Sequence, residues 1–252
     1  MRKLFVIVVL LFAISVYFAN AQALELPYTE DEVLEYTGFS LVYSEEHEQA
    51  LWVAYHLTKE EALGEFPRKN NFREDPNIVT GTATLDDYRG TGYDRGHLAP
   101  AGDMKWSAEA MDDSFYMSNM SPQVPGFNRD IWRQLEALVR YWAIVHEELY
   151  IVTGPILTDG PYETIGENEV SVPKRYFKVI LDYREPDIRM IAFILTNEKS
   201  KTPLYTAVVT VDTVEYITGL DFFPTLEDEL EERLEGEAHY FVWEEKAGIS
   251  DK

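Results

Sequence analysis

Asp94-Arg95-Gly96-His97-Leu98-Ala99-Pro100, then Ser118-Asn119-Met120-Ser121-Pro122-Gln123, then Asn128-Arg129-Asp130-Ile131-Trp132-Arg133-Gln134-Leu135-Glu136, is the stretch on which the reading of this 252-residue chain turns. Its last part opens the clearest helix. Ile131, Trp132, Leu135, Leu138, Val139 and Trp142 recur at three- and four-residue spacing, which lays one apolar stripe along residues 128–147. Its first part reads as a strand, entered through the glycine-bearing turn Tyr88-Arg89-Gly90-Thr91-Gly92-Tyr93.

Outward from that centre the chain alternates strands and helices. Residues 22–37 read as an irregular acidic lead-in, 39–43 and 50–56 as strands rich in aromatic and β-branched residues, and 58–80 as a Pro-punctuated loop. Beyond the helix, 149–155, 170–183, 188–195 and 205–211 read as strands, with Glu185-Pro186-Asp187 as a hairpin connection. Residues 213–218 and 225–235 read as short helices. Strands adjacent in sequence and joined by short turns favour antiparallel pairing. The expected fold is α+β, a mixed, mainly antiparallel central sheet flanked by helices.

The first residues resemble a secretory signal: Arg2 and Lys3, an apolar run from Leu4 to Phe18, and the small-x-small site Ala19-Asn20-Ala21. The alternative is an uncleaved anchor, since the run approaches the length of a span. Residues 1–21 are therefore expected to be a signal peptide, with 22–252 a single domain, no stable membrane association after cleavage, and an exported destination, periplasmic or extracellular. The chain has no Cys, which excludes disulfides, thiolate chemistry and Cys-based zinc sites. Its net charge of −23 argues against a protein that coats nucleic acid through a broadly basic surface. The charge is uneven, though. Residues 65–140 hold nine Lys and Arg against twelve Asp and Glu, whereas 221–252 hold three against eleven. A polyanion could approach only a local basic island.

The central residues supply what phosphodiester hydrolysis needs. A His can deprotonate water, because its ordinary pKa near ~6.5 leaves it largely neutral. An Arg offers a planar fork that matches phosphate. A divalent ion can stabilise the leaving and non-bridging oxygens. On a regular helix Asn128 and Glu136 would lie about 80° apart around the axis and ~12 Å apart along it, too far to touch one ion together. Asn128 is the better direct ligand, with Glu136 acting through a metal-bound water, an arrangement that suits the reluctantly dehydrated Mg²⁺. Bland readings compete at each position. His97 could be a satisfied core histidine, Asn128 an N-cap, Glu136 a solvated helix residue and Arg95 a partner of Asp94.

These segments resemble the DNA/RNA non-specific endonucleases, the ββα-metal nucleases that include secreted bacterial sugar-non-specific nucleases and mitochondrial endonuclease G. The likeness extends to Trp52-Val53-Ala54-Tyr55-His56-Leu57-Thr58, Phe72-Arg73-Glu74-Asp75, Ala110 through Asn119, Val152-Thr153-Gly154-Pro155 and Val172 through Val179, covering about residues 39–224. The resemblance implies a ββα-metal element carrying His97 as general base and Asn128 as the one direct ligand of Mg²⁺, with Mn²⁺ able to replace it. It further implies Glu136 on the metal's water, Arg95 on the scissile phosphate, Asn119 as a support near base and metal, and a further phosphate-binding arginine at Arg68, or Lys69 if the spacing shifts. The products would carry 5′-phosphates, DNA and RNA would be the substrates, and pairing into a homodimer lies within the family's range. The acidic extension 225–252 falls outside the match.

The resulting expectation is an exported, Mg²⁺-dependent, sequence-non-specific endonuclease. One rival is a metal-dependent phosphodiesterase on small nucleotides. The other is a catalytically silent nucleic-acid-binding module of the same fold, against which stands the presence of His97, Asn128 and Glu136 together.

Overall fold

The strand at residues 175–182 shows how sequence becomes architecture here. Alternate side chains face opposite sides. Tyr176 and Ile180 join one hydrophobic core, while Phe177, Val179 and Leu181 join a second on the other face. A strand buried on both faces needs layers above and below it, and the rest of the chain supplies them. The computed structural model describes residues 23–246, so the expected signal peptide lies outside the described residues.

In chain order, β1 (Leu34–Glu35), β2 (Ser40–Ser44) and β3 (Gln49–Thr58) precede the short helices α1 (Lys59–Ala62) and α2 (Leu85–Tyr88). Next come β4 (Asp94–His97), α3 (Ala108–Asp113) and β5 (Met120–Gln123), then a π-helical turn (Phe127–Trp132) running into α4 (Arg133–His146). The strand β6 (Glu148–Pro155), the small hairpin β7 (Glu163–Ile165) and β8 (Val170–Val172), β9 (Arg175–Asp182), β10 (Arg189–Thr196) and β11 (Val208–Val209) follow. Last are α5 (Val211–Thr218), α6 (Asp228–Glu235) and α7 (Tyr240–Lys246).

Seven strands form one sheet in the order β1-β2-β3-β6-β9-β10-β11, and every pairing is antiparallel. The fold is therefore the α+β arrangement expected. The π turn and helix α4 cover one face with Trp132, Leu135, Val139 and Trp142, and α5 and α6 cover the other with Val211, Val214 and Leu234. The ribbon β4-β5 stands beside the main sheet and feeds the helix, giving the ββα order.

Several boundaries differ from the sequence reading for local reasons. The strand expected over 170–183 breaks at Pro173, which has no N–H to donate, and the chain passes there from the small hairpin to the main sheet. Of 205–211 only Val208–Val209 pairs, because Leu204–Ala207 closes a 3₁₀ turn. The stretch 58–80 contains α1, started by a capping box in which Thr58 and Glu61 bond each other's backbone. Helix α7 was not anticipated. It seats the buried Trp243 against Trp142, ring centroids 4.9 Å apart. Among the described residues no helix is long and apolar enough to cross a membrane.

Candidate active site

The ribbon places His97 opposite Met120 and Asp94 opposite Gln123. Gly96 lets the two strands close, since a β-carbon there would collide with the Gln123 side chain. Behind the ribbon, the buried Asp75 accepts hydrogen bonds from the hydroxyls of Tyr36 and Ser118, which ties the Phe72–Asp75 segment to the approach to β5. Phe72 and Phe115 then pack edge-on against the His97 ring at 5.6 and 4.9 Å.

Arg68, Arg95, His97, Asn128 and Glu136 line one cleft of about 490 Å³, so five of the six predicted site residues meet. Arg129, Arg133 and Arg140 also line it, an arginine-rich island on an acidic protein. His97 is 8% exposed and its Nε2 is buried without a hydrogen-bond partner. Burial, followed by the charges of Arg68 and Arg95, pulls its pKa from 6.5 down to about 3. The imidazole is thus neutral with a free nitrogen at working pH, the state a base requires. The Arg95 guanidinium lies 4.4 Å over the Phe72 ring and its Nε is likewise unpaired.

Asn128 is not an N-cap. It sits inside the π turn and its Nδ2 donates to Asp94 Oδ2 at 2.9 Å. The same carboxylate takes Arg129 Nε at 2.7 Å. Burial would raise the Asp94 carboxyl, but the bonds from Arg129 and Asn128 outweigh it and hold it low. With Nδ2 so engaged, none of the described hydrogen bonds uses Asn128 Oδ1. The π turn also alters the geometry expected for Asn128 and Glu136. Its hydrogen bonds close one residue later than an α-turn's, so the chain advances by less than the helical 100° per residue before α4 begins.

Glu136 stands over a buried charge network that sequence reasoning missed. Lys178 is fully buried, its Nζ has no hydrogen-bond partner, and it lies 5.0 Å from the Trp132 ring and 6.0 Å from that of Tyr55. Asp103, fully buried, accepts from Arg140 Nε at 2.6 Å and Tyr55 Oη at 2.9 Å. Burial pushes the Glu136 carboxyl up. Lys178 pulls it back, Asp103 raises it again, and Arg140 and Arg68 lower it. Burial pulls the Lys178 ammonium down, with Glu136 and Asp103 supporting its charge. The legible signals were a lysine inside the apolar run Tyr176-Phe177-Lys178-Val179-Ile180, and Arg140 one helical turn past Glu136.

Asn119 was expected among the site residues as a support near base and metal. It does not enter the cleft. It is fully buried, its Nδ2 donates to Ala99 and Ser114 carbonyls, and its Oδ1 accepts from Ala99 N–H at 2.9 Å. With donors and acceptor all engaged it cannot touch substrate, and what it does is clamp the chain just beyond His97. Arg68 and Lys69 also separate. Lys69 is paired with Asp112 at 2.9 Å, while Arg68 reaches the cleft over Phe115. Three other histidines hold structural bonds, His47 to Ser171, His56 to Glu148 and His146 to Asp182. Arg175 is tied to the Asp159 carboxylate and Lys174 to the Asp159 carbonyl.

A family profile described as DNA/RNA non-specific endonuclease matches residues 19–229, slightly wider than the 39–224 read from motifs. Human mitochondrial endonuclease G is 37% identical over 203 residues, spanning 75% of this chain and 68% of that protein. Mouse mitochondrial nuclease EXOG is 34% identical over 218 residues, spanning 80% of this chain and 59% of that one. A crystal structure of an EndoG/EndoGI complex superposes with a TM-score of 0.74 at 33% identity, covering 80% of this chain and 89% of that one. These relatives correct one expectation. They carry mitochondrial names, which point away from the periplasmic or extracellular destination read from the first residues.

Proposed function

Because the chain belongs to the DNA/RNA non-specific endonuclease family, we propose that it hydrolyses phosphodiester bonds of DNA and RNA with a divalent cation, Mg²⁺ or in its place Mn²⁺, leaving 5′-phosphate ends. The observation that carries this reading is the neutral, unpartnered His97 Nε2 in a cleft shared with Arg68, Arg95, Asn128 and Glu136. The donor set fits a hard cation, since the spare Asn128 oxygen and the Glu136 carboxylate are both oxygen ligands. Asn128 would hold the ion directly and Glu136 through a water. When bound, the ion supplies charge stabilisation of the departing 3′-oxygen.

The protein's own groups do the rest. His97 accepts a proton from the attacking water at Nε2, and burial keeps it unprotonated until then. Arg95, stacked on Phe72, and Arg68, over Phe115, neutralise the phosphoryl oxygens with orientations fixed by the aromatic faces beneath them. These groups address phosphate rather than base edges, which accounts for indifference to sequence. The arginine-rich cleft attracts a polyanion that the surrounding acidic surface repels, so turnover rather than tight retention follows.

The test is digestion of plasmid and RNA by the purified chain, with and without chelator, beside His97→Ala. Loss of both digestions in the chelated sample and in the variant is expected. A His97→Ala protein that folds and cleaves at the wild-type rate overturns the mechanism. Cleavage of a bis-nitrophenyl phosphate diester without cleavage of either polymer overturns the substrate class.

A further inference from the structure

The acidic segment that runs past the end of the family match folds back onto the sheet, and its charges do not face solvent alone. Asp212 and Glu215, three residues apart, occupy one side of α5, while Glu231 and Glu235, four apart, occupy one side of α6. The two helices are drawn together by burial of Val211, Val214, Phe222 and Leu234 in the second core. Carboxylate oxygens of Asp212, Glu215 and Glu235 consequently lie within 4.8 Å of one another. Glu235 is only 8% exposed, and its Oε1, like Oε1 of Glu231, is buried with no hydrogen-bond partner. No ion pair among the described residues reaches any of the four. Arg233, the one basic residue of α6, points instead to Glu237 at 3.7 Å.

Such a cluster needs compensation, because like charges gathered around the buried Glu235 carboxylate are destabilising in proportion to its burial. The donor chemistry favours a hard divalent ion of calcium's size. All ligands are oxygens, and a span of 4.8 Å between carboxylate oxygens is about twice a Ca–O distance of ~2.4 Å.

We infer that Asp212, Glu215 and Glu235, with Glu231 beside them, form a Ca²⁺-binding site that fastens the acidic segment to the main sheet, on the face opposite helix α4. The site lies on elements apart from the nuclease cleft, and two of its acids follow residue 229, where the family match ends. It acts as a staple in a chain that has no Cys to form disulfides.

The experiment is thermal unfolding of the full chain, stripped of metal, against CaCl₂ at pH 7.5, for wild type, Glu235→Gln and Asp212→Asn. At a hundredfold excess of Ca²⁺ over its Kd the wild-type Tm should rise by roughly 5 °C or more. Both variants should lose most of that rise. In the metal-free state Glu235→Gln should melt no lower than wild type, because it removes one repelling charge. Asp212 is exposed, so its variant keeps the test valid should the buried substitution disturb folding. Ca²⁺ binding in the cleft contributes equally to all three proteins and cancels, and Mg²⁺-supported digestion of plasmid should be unchanged in both variants. Equal Ca²⁺ shifts in wild type and variants overturn the proposal. So does the absence of any shift together with a higher metal-free Tm for Glu235→Gln, the result expected if the carboxyls share protons.

Discussion

The Asp94 carboxylate accepts the Asn128 side-chain N–H at 2.9 Å, and this bond decides which end of the Asn128 amide is left for the cleft. An amide has one oxygen and one nitrogen, and a cation needs the oxygen. Asp94→Ala removes the orienting acceptor and lets the amide turn. Outer-shell partners of metal ligands are worth about 10- to 100-fold in metal affinity, so the Mg²⁺ concentration for half-maximal plasmid cleavage should rise by that factor. The rate at saturating Mg²⁺ should fall much less. An unchanged Mg²⁺ requirement in this variant would show that Asp94 does not position Asn128.

The low pKa of His97 has a stability consequence separate from catalysis. Unfolded His97 takes a proton near 6.5, but the folded protein does not until about 3. Between those values the unfolded state binds more protons, so stability falls as pH falls, by at most about 1.4 kcal/mol per pH unit. Above pH 6.5 both states are neutral and the effect is absent. His97→Gln should therefore lose less of its urea midpoint than wild type between pH 6.5 and 4.5, while its nuclease rate drops by about 10²- to 10⁴-fold. Parallel midpoint curves for the two proteins would mean that His97 is not held neutral by burial.

How legible these features were depended on whether a residue's role is local. The helix stripe through Trp132 and Trp142 and the strand entering His97 follow from nearest-neighbour patterns; the strand formed where expected, and the regular helix begins at Arg133 rather than at residue 128. The π turn at Phe127–Trp132 carries no such pattern, because its apolar spacing also fits a regular α-helix. Asn119 was legible as part of a motif, but only the fold shows that its three hydrogen bonds go to backbone, two to Ala99 just beyond His97 and one to Ser114. Lys178 was hidden for a related reason. A lysine in a strand reads as a solvated position until the sheet is seen to be covered on both faces. The junction of Asp212 and Glu235 likewise joins helices that are separate in sequence.

Lys178 and Glu136 make a prediction about pH. Burial raises Glu136 from 4.5 to about 7, and Lys178 is the strongest group holding it down. Ionised Glu136 is the form that can hold a metal-bound water, so the Mg²⁺ requirement should increase as pH falls through about 7. His97 cannot be the cause of that acid limb, since it titrates far lower. Lys178→Met keeps most of the side-chain volume against Trp132 and removes the charge. The acid limb of the pH–rate profile should then move upward by about one pH unit, since one unit is only ~1.4 kcal/mol of lost charge interaction. If Tm changes and the limb stays in place, Lys178 serves packing alone.

The last prediction separates the two residues that motif spacing left open. Arg68 reaches the cleft over the Phe115 ring, 5.0 Å from its centroid, with its Nε bonded to Asn70 Oδ1 at 2.8 Å. Lys69 instead shares Asp112 with Arg73. An arginine aimed at phosphate stabilises charge that develops as the phosphodiester breaks, so Arg68→Ala should lower kcat/KM on plasmid by roughly 10²-fold. It should also reduce the dependence of log affinity on log salt by about one phosphate contact's worth. Lys69→Ala breaks a partly exposed ion pair, a change of at most about 1 kcal/mol in stability, and leaves turnover near wild type. Reversed results, a silent Arg68→Ala and a crippled Lys69→Ala, would move the phosphate-binding role to the neighbouring position and take Arg68 out of the reaction.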